Sequence, residues 1–421
     1  MSSEWPVQRL DQIAEINPAR KVRKGSVVPF VDMAALPQHS RDIGAEGVLV
    51  REAKGAGAHF QNGDTLLARI TPCLENGKTA QVRCLDGDAI AEGSTEFIVL
   101  CGKDPEDNDF IYYLCREPAF REYAIGRMEG TSGRQRVSWQ SIAAYEFAFP
   151  PPDERRAAAC VLSALDDRIT LLRETNATLE SIAQALFKSW FVDFDPVRAK
   201  MEGRTPEGMD DATAALFPDA LEETELGPVP KGWRYSTIGE SFILTMGQSP
   251  PGDTYNEAGD GLPFYQGRTD FGFRFPSQRV FCTAPTRLAE PGDTLVSVRA
   301  PVGDVNMALE KCCVGRGVAA VRHPNGCRSF AFYATRGLRS RFDLFDSEGT
   351  VFGSINKKDF QALPVIEPSG DVLVAFDEIA APIDRRIVGN EEQIRTLATL
   401  RDTLLPRLIS GQLRVPEATL A

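Results

Sequence analysis

Leu162–Leu186, LSALDDRITLLRETNATLESIAQAL, is the stretch that decides the fold. With Leu162, Ile169, Asn176 and Ala183 at a positions, Leu165, Leu172, Leu179 and Leu186 fall at d. That heptad spacing gives a long helix one apolar stripe. A second stripe lies near the C-terminus, with Ala380, Ile387, Ile394 and Arg401 at a and Ile383, Asn390, Leu397 and Leu404 at d. Each stripe carries one asparagine. Either each helix packs on its own domain, or the two pair with each other antiparallel. In the paired case, with the copies related by a pseudo-twofold axis, Asn176 faces Asn390, and such a pair sets register at a cost in stability. Pro382, inside the second stripe, predicts a kink or a helix start.

The sequence before each stripe is also duplicated. Trp5 in EWPVQRLDQIAEI recurs 228 residues later as Trp233 in KGWRYSTIGESFI, and Gly63-Asp64-Thr65-Leu66 recurs 229 later as Gly292-Asp293-Thr294-Leu295. Glu129-Gly130-Thr131 recurs as Glu348-Gly349-Thr350, and Leu186 as Leu404. Modules this long are domains, not solenoid repeats. Each mixes strand-like runs (DTLLARI, KTAQV, TEFIVL; then DTLVSVRAP, VGRGVAAVR) with one helical stretch, DNDFIYYLCREPAFREYAIG or SFAFYATRGLRSRFDLF. The expected fold class is α+β: two similar mixed α/β domains, each followed by a long helix, the helices pairing as an antiparallel coiled coil with pseudo-twofold symmetry. About 35 helical residues at ~1.5 Å each make a ruler of about 50 Å, or at most ~15 base pairs of duplex DNA. A duplicated binder on such a ruler suits a target with two separated half-sites.

The chain has 421 residues, enough for two or three domains with real cores. No apolar run is long enough to span a membrane and the start lacks a signal pattern, so a cytoplasmic protein without membrane contact is expected. Nine cysteines without a C-x-x-C pair, and only three histidines, argue against a metal site; the adjacent Cys312 and Cys313 read as reduced, partly buried thiols. A net charge of −12 excludes a protein that coats nucleic acid by bulk attraction. The charge is uneven: acidic residues crowd Asp195–Glu225, while basic ones collect in loops such as TSGRQRVSW and SINKKDF. This balance predicts weak DNA binding and poor solubility without partners.

LESIAQALFKSWFVDFDPVRAKMEGR (Leu179–Arg204) and ELGPVPKGW (Glu225–Trp233) resemble the specificity subunit of type I restriction–modification systems. ITPCLENGKTA (Ile70–Ala80), EGTSGRQRVSW (Glu129–Trp139) and LLPRLISGQL (Leu404–Leu413) resemble stretches common in that family. The resemblance covers essentially the whole chain; Phe187–Met201 is its specific part, and GDTL alone is weak. It implies target-recognition domain 1 over 1–152, a central spacer and partner-docking helix over 153–195, and an acidic Pro/Gly-containing linker over 196–230 with a short helix near DDATAALF. Target-recognition domain 2 follows over 231–370, then the C-terminal long helix over 371–413 and a tail over 414–421. It further implies a non-catalytic subunit that reads a bipartite double-stranded DNA site with an unspecified gap. Two adenine-methylating modification subunits would dock through the helices, and restriction subunits would join them. S-adenosylmethionine, ATP and Mg²⁺ would belong to those partners, with no cofactor in this chain.

The residues agree on the absence of catalysis. There is no Asn/Asp-Pro-Pro-aromatic motif for adenine flipping and no Gly-rich loop suited to a methyl donor. Asp64, Glu75 and Lys78 mimic a nuclease cluster, but the Glu75–Lys78 spacing is wrong for one. No catalytic or metal-binding residue is therefore assigned. A self-contained methyltransferase or nuclease lacks its motifs, and a coiled-coil adaptor without DNA leaves two loop-variable domains unexplained.

Base reading favours Arg or Lys on guanine and Asn or Gln on adenine, and phosphates favour Arg, Lys, Ser and Thr. In the first copy the candidates are Arg69, Thr71, Asn76 and Lys78, with Arg134, Gln135, Arg136 and Ser138 beside Gly130 and Gly133. In the second they are Arg299 and Asn306, with Ser354, Asn356, Lys357 and Lys358 beside Gly349 and Gly353. Gln266 and Arg268 join them, with Tyr265 able to pack on a sugar or base. Each residue could equally serve as a solvated or turn-stabilising side chain. Phe187, Trp190, Phe191 and Phe194, at the end of the first stripe, read either as packing within this chain or as a docking surface for a modification subunit.

Overall fold

The computed structural model describes residues 5–131, 133–347 and 353–415. The chain divides into two units, Met1–Glu174 with Glu392–Ala421, and Thr175–Glu391. Both cuts fall inside a 40-residue helix, the first long helix Pro152–Phe191 and the second long helix Gly370–Ile409. Each unit therefore holds half of each helix.

The first unit has a four-stranded antiparallel sheet in the spatial order Ala14–Ile16, Phe97–Gly102, Thr65–Ala68, Thr79–Gln81. The second unit repeats that order with Ile243–Met246, Val318–Arg322, Thr294–Val298 and Val302–Met307. A helix buried on most sides packs on each sheet, Asn108–Arg116 in the first unit and Arg328–Gly337 in the second. Next to it each unit has a mixed sheet with one parallel pairing, Val27–Val31 with Ala91–Gly93 and Leu262–Tyr265 with Cys312–Val314. The second unit adds an edge strand, Tyr255–Asn256, so the copies diverge at their rims.

The repeated Gly-Asp-Thr-Leu has a structural reason. Gly63 and Gly292 take φ of 91° and 85°, a region open to glycine at little cost. The next residue closes the turn: Asp64 accepts from the Gln61 N–H at 2.9 Å and Asp293 from the Glu290 N–H at 2.8 Å. Each buried carboxylate also binds an arginine, Arg20 for Asp64 and Arg322 for Asp293, before the chain enters the central strand. Glu348, Gly349 and Thr350 lie outside the described residues, so the structure does not address that repeat.

All eight a positions of the two stripes are buried. In the first unit Ile169 and Leu172 cluster with Ile394, Leu397 and Ala398, while Leu162 shares a core with Leu405 and Leu408. In the second unit Ala183, Ala380 and Ile387 join the main core. There the Asn390 side-chain amide donates to Asn176 Oδ1 at 2.7 Å, and the Asn176 amide donates to Glu391 Oε1 at 2.8 Å. Arg401, a charge at an a position, binds buried Asp166 at 2.6 Å, and that carboxylate also accepts from the Tyr113 hydroxyl at 2.8 Å. The second unit has the corresponding set in Asp384, Tyr333 and Arg274. Pro382 starts no helix: the second long helix begins 12 residues earlier, at Gly370, and runs past it.

The stretch after the first long helix holds more structure than the one short helix expected there. Besides the short helix Asp211–Ala215, a further helix forms over Asp195–Met201, burying Pro196, Val197 and Ala199. Lys200 Nζ donates to the carbonyls of Ala214 and Phe217, and Phe217 packs edge-on against Trp190 at 5.0 Å. Apolar residues spaced within an acidic stretch thus anchor it to the second unit.

Asp377 on the second long helix accepts N–H bonds from Arg328 and Phe330, both at 3.1 Å, at the start of helix Arg328–Gly337. Burial nevertheless pushes its carboxyl from 3.8 up to about 6, outweighing those bonds. Because the folded value is raised, the folded state holds the proton more tightly. The stabilisation from this group is complete below 3.8 and is lost as pH rises through about 6. Asp377→Asn keeps the acceptor and removes the titration. Urea unfolding at intervals from pH 4 to 7 is expected to show the native chain losing stability relative to this variant across that window; parallel curves would contradict the assignment.

Candidate nucleic-acid interface

In each unit the strand that follows Gly-Asp-Thr-Leu runs into a loop that pairs with the chain just before a short helix. In the first unit Ile70 bridges Arg136, the Thr71 N–H donates to the Gln135 carbonyl at 3.0 Å, and the Val137 N–H to the Arg69 carbonyl at 2.9 Å. In the second Arg299 bridges Ser354, the Ala300 N–H donates to the Gly353 carbonyl at 3.1 Å, and the Ile355 N–H to the Val298 carbonyl at 3.1 Å. The fold thus brings Arg69, Thr71, Gln135 and Arg136 together, and Arg299 with Ser354. By these bonds Arg69 corresponds to Val298 and Arg299 to Ile70, a shift of one residue.

Several candidates have structural duties. Ser138 caps helix Trp139–Ala143 by accepting from the Ser141 N–H at 3.0 Å, and Asn356 caps Lys357–Gln361 by accepting from the Asp359 N–H at 3.0 Å. Lys78 Nζ donates to the carbonyls of Met33 at 2.8 Å and Ala34 at 3.4 Å, tying a loop to the sheet. Asn306 is 1% exposed and bonds both main-chain groups of Gly272, which removes it as a reader. Tyr265 is likewise buried, in a small core with Leu295 and Val314. Asn76, Arg134, Lys357 and Lys358 are exposed.

Charge pairing separates the arginines. Arg136 grips Glu96 along one edge of its guanidinium, from Nη2 at 2.7 Å and from Nε at 2.9 and 3.0 Å, and holds that carboxyl below its ordinary range. Arg268 pairs with Asp304, which also binds Arg339. Gln266, Arg268 and Arg299 line one cleft of about 510 Å³ together with Ser249, Thr269 and Arg316.

No protein-family model matches the chain. It is 26% identical over 417 residues to the Type I restriction enzyme HindI specificity subunit of Haemophilus influenzae, covering 84% of this chain and 87% of that one. It is 23% identical over 444 residues to the Type I restriction enzyme MjaIX specificity subunit of Methanocaldococcus jannaschii, covering 98% and 94%. The chain is a relative of type I specificity subunits. A crystal structure of a type I restriction–modification S subunit from M. genitalium shares the fold, with a TM-score of 0.54 at 16% identity over 96% of each chain.

Against that relationship, the aromatic cluster of the specificity-subunit signature is part of the core. Phe187, Trp190, Phe191 and Phe194 are all buried in the second unit, against Phe376, Phe330, Phe217 and Trp233. Burial of these rings stabilises the unit and leaves none of the four as an exposed docking face. Among the described residues no group of His, Cys, Asp or Glu is placed to hold a metal, and no helix is long and apolar enough to cross a membrane. Cys312 and Cys313 are fully buried, more than their sequence suggested. Reading by residue type missed Glu96, Ser249 and Arg316; the only signal for the last is an arginine between two glycines in VGRGVAAVR.

Proposed function

We propose that this chain is the sequence-reading subunit of a type I restriction–modification enzyme. Its two target-recognition domains, 1–152 and 231–370, each read one block of a bipartite double-stranded DNA site. The long helices, 153–195 and 371–413, pair as an antiparallel coiled coil with pseudo-twofold symmetry and set the unspecified gap. Two modification subunits dock on the assembly and methylate adenine, restriction subunits join them, and S-adenosylmethionine, ATP and Mg²⁺ are bound by those partners in the cytoplasm. The observation that carries this reading is the repeated loop crossing, Ile70 with Arg136 and Arg299 with Ser354, which gathers polar and basic residues around the same loop in two copies of one frame.

The test is co-expression with the modification subunit, followed by single-molecule sequencing of host DNA for methylated adenine. The expected result is a single motif of two short blocks around a fixed gap. A stable complex that methylates nothing, or a continuous motif, would overturn the proposal.

The Glu96–Arg136 pair yields a narrower prediction. Glu96 occupies Arg136 as a phosphate would, so Glu96→Gln is expected to strengthen binding to duplexes of every sequence and steepen the salt dependence by about one phosphate contact. Arg136→Ala is expected to do the reverse. Fluorescence anisotropy with one random duplex at several salt concentrations checks both, and unchanged slopes would remove Arg136 from the interface.

A further inference from the structure

The two copies differ at one turn where the topology makes them comparable. In the first unit Ser94–Glu96 leads into the strand Phe97–Gly102, the Phe97 N–H donating to the Ser94 carbonyl at 3.3 Å. In the second Gly315–Gly317 leads into Val318–Arg322, the Val318 N–H donating to the Gly315 carbonyl at 3.0 Å. The Glu96 carbonyl accepts from the Arg69 N–H, as the Gly317 carbonyl accepts from the Val298 N–H, so the two turns align residue by residue. Where the first unit has the carboxylate of Glu96, the second has a glycine preceded by Arg316.

That glycine has a reason. A Cβ on Gly317 would lie 2.3 Å from the Gln266 carbonyl oxygen, and one on Gly247 would lie 2.1 Å from that of Gly315. Glycines let three backbone segments converge here, forming the floor of the cleft lined by Ser249, Gln266, Arg299 and Arg316. Ser249 Oγ accepts from the Arg316 main-chain N–H at 3.4 Å and from its Nε at 3.3 Å. The hydroxyl thereby orients the guanidinium and leaves its terminal nitrogens for another acceptor. Among the described residues no carboxylate lines this cleft, whereas Arg136 of the first unit is neutralised by Glu96.

We infer that Arg316, oriented by Ser249, is a specificity-determining residue of the second unit and reads a guanine, with Gln266 and Arg299 in the same cleft. This rests on the DNA-reading function proposed above. A guanidinium fork with both terminal nitrogens available matches the O6 and N7 acceptors of guanine in the major groove, the commonest specific contact to that base. A phosphate accepts the same fork but carries no base identity, so loss of selection at one position separates the two contacts.

The test offers the complex of the full chain and its modification subunit a pool of duplexes randomised across both blocks, and sequences those retained. With Arg316→Ala, one guanine in one block is expected to lose selection, discrimination there falling by ~10-fold or more while the other block is unchanged. Arg316→Lys, which keeps the charge without the fork, is expected to relax the same position with the salt slope retained. Circular dichroism melts matching the native chain confirm that these exposed-site variants fold. An unchanged motif overturns the inference. So does a uniform loss of affinity with the salt slope reduced by about one, which marks a phosphate contact. If the native complex selects no two-block motif, the functional reading itself fails, a result distinct from either outcome with the variants.

Discussion

Arg274→Ala is expected to destabilise the second unit by about 3–5 kcal/mol, the cost of removing one partner from a buried ionic network. The guanidinium is 1% exposed and lies between two carboxylates, binding Glu180 through Nη2 and approaching Asp384 at 3.2 Å through Nη1. It also donates to the Tyr333 hydroxyl at 2.7 Å and stacks over the Phe332 ring at 4.0 Å. Truncation leaves Glu180 with Arg336 at 2.5 Å and the Gln184 side-chain amide at 3.0 Å, and Asp384 with the hydroxyls of Ser329 and Tyr333. The carboxyl of Asp384 is already pushed up by burial, and without Arg274 it should rise further, so part of the loss should be recovered on acidification. Guanidinium unfolding at pH 7 and pH 5 measures both effects. A loss below about 1 kcal/mol would mean that the two carboxylates are hydrated rather than held by the arginine.

Trp233→Ala is expected to cost a similar ~3–5 kcal/mol by deleting one of the two indoles of a packed aromatic cluster. Its neighbours are Phe191 at 5.9 Å, Phe194 at 6.0 Å and Phe217 at 6.2 Å, all around the end of the first long helix. The repeat partner Trp5 covers the end of the second long helix instead, above Gly411 and beneath Arg414 at 5.6 Å. A Cβ on Gly411 would fall 1.7 Å from that indole, so the first unit uses a glycine where the second uses phenylalanines. Trp5, with fewer aromatic contacts, is expected to be worth less than Trp233. Urea unfolding followed by circular dichroism, which does not depend on the deleted fluorophores, compares the two variants. Equal losses would mean that the aromatic ring cluster adds nothing beyond burial.

The relation to specificity subunits was legible because it rests on local words: the aromatic helix end, the Gly-Asp-Thr-Leu turns and the heptads. Each is enforced by neighbours within a few residues, through helical period or turn geometry. Even the caps carried a signal, since Ser138 and Asn356 each precede a hydrogen-bonding residue by three positions, a capping spacing, rather than standing free for a ligand.

The candidate site was less legible. Lys78 is spent on carbonyls some 45 residues away, Arg136 on a glutamate 40 away, and Asn306 on a glycine 34 away. A polar side chain chosen by type gives no sign of such an acceptor, because the pairing is made only when distant strands come together. For the same reason Arg316 stood unremarked in a strand-like run.

By itself, the sequence determined the duplication, the two long helices with one asparagine each, and the absence of catalytic motifs, since period and spacing are properties of contiguous residues. Tertiary structure alone decided which cations remain available to a ligand. Ionic and hydrogen-bond partners are set by proximity in space: Glu96 neutralises one arginine, while a glycine at the corresponding place leaves another beside Ser249 in a cleft that no carboxylate lines among the described residues.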